Sequence, residues 1–373
     1  MAKAVYVGVG SKARKMKKAY IGIGGKARKV KKMYIGVGGK ARLCYSAELE
    51  KVGMATALST ARYDMRAATV GKYALFAGGL APNPFFGENA SSSVDAYNTS
   101  LTKSTPTELS YKRCGHAAAS VGGYALFAGG ASSYNFLGYG NILSSVDAYD
   151  ASLTRSAAHI IGATAAIGGA AVGNYALFAG GTVYSQINKD NVTSDVLAYD
   201  PSLTFTTAPL LSVARANVKG ASAVNYALFA GGRAGSFCTT VDAYNASLTR
   251  TTATALSSTK NNSAAATVGN HAIFVGNTAS ADIYDASLTK TSAAILSTAR
   301  NRLAATTVGD YAIFSGGGVA DFCDASLTRS SIGTSMTGYD MGAATIGDYA
   351  LFAGGYSDEK SVTIYDSVEV YTA

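Results

Sequence analysis

The chain has 373 residues, 42 of them glycine and only five proline, with 24 tyrosines, 13 phenylalanines and no tryptophan. Its formal charge of +9 is unevenly placed: residues 1–42 hold thirteen of the 32 Lys and Arg residues and none of the 23 acids, so the remainder carries nineteen cations against 23 anions. This excludes a uniformly basic fold and predicts a basic arm with a partner of its own, joined to a mildly acidic body.

The arm comes first. AVYVGVGSKARKMKK, AYIGIGGKARKVKK and MYIGVGGKAR repeat every fourteen residues, superposing Tyr6, Tyr20 and Tyr34, and Arg14, Arg28 and Arg42. Each unit alternates Tyr/Gly against Val/Ile, turns at Gly-Ser-Lys or Gly-Gly-Lys, and continues as a basic stretch, which predicts a chain of small β-hairpins over residues 1–44. So little apolar surface predicts assembly with copies of itself, such as a trimer, or docking on a partner. Phosphate contacts to nucleic acid are the lesser alternative. Gly-Gly-Lys here is no phosphate-binding loop, because the earlier glycine is missing and Ala follows the Lys. No signal peptide is expected, since Met1 is followed by the β-like pattern rather than an apolar core.

From Tyr45 onward a longer repeat governs. YALFAGG stands at 73–79, 124–130, 175–181, 226–232 and 349–355, with HAIFVGN at 271–277 and YAIFSGG at 311–317, making seven copies. An Ala-rich segment ending in Val-Gly precedes most copies, and VDAYNTSLTKS or a variant follows. A unit of about 40–50 residues is the size of one four-stranded propeller blade. The small apolar segment suits an inner strand, YALFA a strand buried on both faces, VDAYD a third strand, and LTRS a polar outer strand. Ala163 to Val183 is uncharged, but the register cuts it into two strands, so no membrane span is expected.

The chain ends on SVEVYTA at 367–373, which matches SVDAYNT at 93–99 and stops short of an outer strand. YSAELEK at 45–51 aligns with YNTSLTK at 97–103, so residues 45–58 are expected to supply the missing strand and close the ring. The expected fold is all-β: a seven-bladed β-propeller over 45–373, closed by an N-terminal strand and preceded by the hairpin arm.

Loops after Gly79, Gly130, Gly181 and Gly355 are long, and those after Gly232, Asn277 and Gly317 short, which gathers the long loops on blades seven, one, two and three. They carry Phe85, Phe86, Tyr134, Phe136, Tyr139, Tyr184 and Tyr356, either facing a ligand or packing on one another. Eleven residues before the aromatic of each YALF copy stand Arg62, Arg113, Thr164, Arg215, Lys260, Arg300 and Gly338. The basic ones either face a ligand near the channel or bond loop carbonyls as a structural element of each blade.

Tandem Gly-Gly, Tyr-Asp and Arg, clearest in ARNRLAATTVGDYAIFSGG at 299–317, resemble kelch repeats over Tyr45 to Ala373. The resemblance implies a propeller whose ligands meet the channel mouth, with Arg62, Arg113, Arg215 and Arg300 close to it. The tryptophan usual in that family is absent. Leu49, Leu101, Leu153, Leu203, Leu248, Leu288 and Leu327 are expected to take its packing role. The arm resembles repeats in structural proteins of tailed phages and prophages.

Together the resemblances imply a non-enzymatic virion or tail-associated protein made in the host cytoplasm, whose arm binds itself or other virion proteins and whose propeller binds a bacterial surface glycan or protein. A purely structural virion protein and an intracellular scaffold with a nucleic-acid-binding arm are the alternatives. His116, His159 and His271 occupy different repeat positions, the four cysteines lack metal-site spacing, and loop acids Glu88, Asp190 and Asp358 are not paired in sequence. No catalytic residue, metal or cofactor is therefore expected.

Overall fold

YALFA can be apolar at every position only if both faces of its strand are covered. In the computed structural model four of its five residues are buried in every blade where the sequence stands in full, as in Tyr73–Ala77, Tyr124–Ala128 and Tyr349–Ala353. The structure describes all residues except 1–5, 10–11, 16–18, 24–25, 31, 38–39, 47, 84–86, 136–137, 159–161, 185–190, 261–263 and 358–361. For most of the arm, it describes the backbone alone.

Seven antiparallel four-stranded sheets form a seven-bladed β-propeller. Their inner strands begin with Arg66–Val70 in blade 1 and Ala117–Val121 in blade 2, and continue with Gly168–Val172, Lys219–Ala223, Ala264–Val268, Ala304–Val308 and Gly342–Ile346. Their residues alternate between tight burial and partial exposure, as strands with one face on the channel must. The core is distributed between blades. Seven apolar clusters each join two neighbouring blades, such as Leu126 and Val146 of blade 2 with Phe178 and Tyr199 of blade 3. In six blades the third-strand tyrosine stands edge-on to the Phe of YALF or HAIF, with centroids 5.8–6.0 Å apart. Leu101, Leu153, Leu203, Leu248, Leu288 and Leu327 pack against these inter-blade clusters, and Leu49 is buried among the cluster between blades 6 and 7. All but Leu49 have φ near +60°, a conformation usually costly for leucine. The preceding turn holds them there: Asn98 Oδ1, for instance, accepts bonds from the amides of Ser100 at 2.9 Å and Thr102 at 3.0 Å.

The ring closes as the sequence predicts. Glu50–Ala55 pairs antiparallel with Val368–Thr372 and becomes the outer strand of blade 7. Ahead of it, Tyr6–Val9 pairs with Lys12–Lys15, Tyr20–Ile23 with Lys26–Lys29, and Lys32–Val37 with Lys40–Ser46, giving three successive hairpins. The last runs two residues beyond the expected end of the arm at 44. Tyr34 is exposed.

Hydroxyls in the inner strands bond blade to blade around the channel. Thr69 donates to Thr345 O, Ser120 to Thr69 O, Ser222 to Ala171 O, Thr267 to Ser222 O, Thr307 to Thr267 O, and Thr345 to Thr307 O. One link, from blade 3 to blade 2, is missing because Ala171 occupies the hydroxyl's place. Ala171→Ser is expected to complete the circuit and add about 0.5–1.5 kcal/mol, read as a rise in the denaturation midpoint.

Candidate functional site at the channel mouth

Two residues after the repeat position that holds Arg62, Arg113, Thr164, Arg215, Lys260, Arg300 and Gly338, the chain must turn sharply into the inner strand, and the backbone there enters the left-handed region. Asp64, Gly115, Ala166, Asn217, Arg302 and Asp340 occupy this position, with φ between 49° and 60°. The blade 5 counterpart, Asn262, lies outside the described residues. These turns bond to one another around the mouth: Asp64 N donates to Asp340 O at 2.8 Å, Asp340 N to Arg302 O at 3.0 Å, Ala166 N to Gly115 O at 2.7 Å and Asn217 N to Ala166 O at 2.7 Å. Gly115 N donates to the Asp64 carboxylate at 3.1 Å.

Just inside this rim the first residues of the inner strands line the channel, and among them Arg66 and Lys219 are charged. Arg66 pairs with Asp64 at 2.8 Å. Burial opposes charge on Arg66, but the Asp64 carboxylate outweighs it and the guanidinium is held above its ordinary value. The Lys219 side chain makes no hydrogen bond or ion pair among the described residues; burial, then the nearby Arg66, lowers its ammonium. Burial, followed by repulsion from Asp64, raises the Asp340 carboxyl from 3.8 to about 6. Folding therefore favours the protonated form of Asp340, so its effect on stability is lost rather than gained as pH rises. The contribution of Asp340 to stability should decline between about pH 4 and pH 6, and a melting-temperature profile of Asp340→Asn compared with the unaltered chain should lack that component.

Aromatic loops stand on this same face, because the second strand of each blade ends where the inner strand begins. Tyr134 and Tyr139 face each other across the hairpin Ala131–Asn135 and Gly138–Ile142, with rings 5.1 Å apart. Tyr134 is exposed, whereas Tyr139 packs over Gly115, where an added Cβ would lie 2.6 Å from its ring. Tyr356 is buried, 4.7 Å from Tyr63 and 6.3 Å from Tyr339 between centroids, and accepts a bond from the Arg302 guanidinium on its hydroxyl. Tyr184 is exposed. Tyr139 and Tyr356 thus pack within the loops, while Tyr134 and Tyr184 are left in solvent. Phe85, Phe86, Phe136, Asp190 and Asp358 lie outside the described residues, and Glu88 is described in backbone only.

The repeat arginines belong to the blade interior. Arg62, Arg113 and Arg215 have 0% exposure, and they pair with third-strand Asp95, Asp147 and Asp242 at 2.7, 2.7 and 2.9 Å. Lys260 and Arg300 pair in the same way with Asp282 and Asp321. The arginine guanidinium groups also donate to main-chain carbonyls at the end of the second strand, as from Arg113 to Gly129 O at 2.9 Å and from Arg215 to Phe229 O at 3.0 Å. Of the two expectations, the structural role fits this geometry; direct ligand contact by Arg62, Arg113, Arg215 or Arg300 does not, because their guanidinium groups are turned inward and paired with the third-strand aspartates. A second cation from the outer strand, Lys103, Arg155, Arg250, Lys290 or Arg329, completes each cluster.

Asp64, Arg66, Lys219, Arg302 and Asp340 were not among the sequence candidates. Only the fixed offset of two from the arginine, where Asp, Gly and Asn cluster, marks the rim in the sequence. His116 is fully buried beneath it, and burial, then Arg66 and Arg113, hold its imidazole well below the ordinary value. Among the described residues no three His, Cys, Asp or Glu side chains group as metal ligands. The arrangement offers hydrogen bonds, charge of both signs and aromatic faces to a polar ligand.

The architecture defines the class: a seven-bladed β-propeller with a charged channel mouth and aromatic loops on one face. Neither the protein-family models nor the curated proteins compared with this chain match it.

Proposed function

We propose that this chain is a non-enzymatic virion attachment protein, in which the arm assembles or anchors and the propeller binds a glycan or protein of a bacterial surface. The observation carrying this reading is the polarity of the propeller. Exposed Tyr134 and Tyr184 and the charged rim share one face. The outer strand of blade 7 starts from the opposite face, at Glu50, where the arm joins. An anchored arm therefore leaves the aromatic face pointing outward. The kelch-like repeat and the phage-like arm support the same reading by resemblance.

Full-length protein and residues 45–373 should be compared for binding to intact candidate host cells, with masses from light scattering. The full chain is expected to oligomerise and bind more tightly through avidity, while the isolated propeller binds as a monomer. Tyr184→Ala together with Tyr134→Ala should weaken binding by about tenfold or more, as loss of exposed aromatic anchors does. Assembly without binding to any cell would leave a purely structural virion role. Binding that tracks salt and the arm alone would favour the nucleic-acid reading.

A further inference from the structure

Blade 3 departs from blades 1, 2, 4, 5 and 6 at three positions whose side chains form the buried ion-pair cluster there. Thr164 stands at the position of the buried arginine, Leu197 at that of its aspartate partner, and Phe205 at that of the outer-strand cation. Losing any one alone would strand a buried charge, so the three changes are mutually consistent. They leave a cavity of about 280 Å³ where the guanidinium lies in other blades, near the lower bound of about 300 Å³ for small-molecule pockets.

The rest of the guanidinium cradle is retained. Arg113 in blade 2 donates to Phe127 O, to Gly129 O at 2.9 Å, to Ser145 O at 3.0 Å and to Ser145 Oγ at 2.8 Å. The blade 3 counterparts of those three residues are Phe178, Gly180 and Asp195, and all three line the cavity. At the position of Ser145 the chain has thus placed a carboxylate, two residues from where the aspartate was lost. Asp195 is exposed, at the cavity's open side, and Ile167, Val196 and Leu210 supply apolar surface.

We propose that this cavity binds an alkylguanidinium group, the side chain of an arginine from outside the blade. The carbonyls take the place they have around Arg113, Asp195 supplies the countercharge in a charge-assisted bond, and the apolar wall covers the methylene stem. The arginine comes either from a foreign ligand or from the arm of another copy, which carries Arg14, Arg28 and Arg42 in its repeats.

The test is calorimetric titration of the full-length protein with Nα-acetyl-arginine amide, with the norleucine analogue as control. Saturable binding with a Kd near or below about 1 mM is expected for arginine and none for norleucine. Asp195→Asn, at an exposed position, should weaken binding at least about fivefold through loss of the charge-assisted bond without shifting the melting temperature. Thr164→Arg should abolish binding by filling the cradle from within. A peptide of residues 19–32 binding more tightly than the amide assigns the occupant to a second copy's arm; equal affinity assigns it to a foreign arginine. Failure to saturate, equal binding of norleucine, or unchanged affinity in Asp195→Asn overturns the proposal.

Discussion

Replacing Arg215 by Thr is expected to cost about 3–5 kcal/mol, and adding Asp242→Leu with Arg250→Phe is expected to recover most of that loss. Asp242 is fully buried between the two arginines, at 2.9 Å from each, and also accepts from Ser212 N at 3.2 Å. Without Arg215 its charge keeps the partly exposed Arg250 and the Ser212 bonds alone, and the carbonyls of Phe229 and Gly231 lose the guanidinium donor. The triple variant copies the solution that blade 3 already uses. Comparing denaturation midpoints of the single and triple variants decides the matter: a triple variant less stable than the single one would show that blade 3 is accommodated by its surroundings and not by exchange of the three side chains.

Removing residues 1–56 is expected to produce a chain that aggregates on expression, whereas removing residues 1–44 leaves a folded, monomeric propeller. The difference is the strand Glu50–Ala55. Without it, the backbone edge of Val368–Thr372 is open to pairing with another chain, and Leu49 no longer covers the cluster between blades 6 and 7. Glu369, fully buried, would also lose its salt bridge to Lys51. Size-exclusion chromatography of the two truncations reads this directly. A monomeric, cooperatively melting 57–373 fragment would mean that six complete blades and an open seventh suffice.

Much of the fold is legible because it is repeated. A single YALFAGG is an ambiguous apolar run, but seven copies at blade spacing leave one architecture. The match of Tyr45–Lys51 to Tyr97–Lys103 locates the closing strand from sequence alone, since one repeat is split between the two ends of the chain. The binding face is less legible. The sequence marks the long loops by length and aromatic content, yet cannot separate Tyr356, buried against Tyr63 and Tyr339, from Tyr184, left in solvent, because both are tyrosines after Gly-Gly. It likewise marks the arginines by recurrence without revealing that they point inward.

What the sequence determined by itself is therefore whatever depends on local pattern and periodicity: strand identity, blade number, closure and the basic arm. Tertiary structure alone decided which charges meet. Arg113 and Asp147 are 34 residues apart and the hydroxyl ring runs between blades. Asp64 and Asp340 come together at the mouth from opposite ends of the propeller sequence, because closing the ring makes blades 1 and 7 neighbours. The physical reason is that hydrophobic periodicity reports which face of a strand is covered, whereas the partner of a buried charge is fixed by ring geometry.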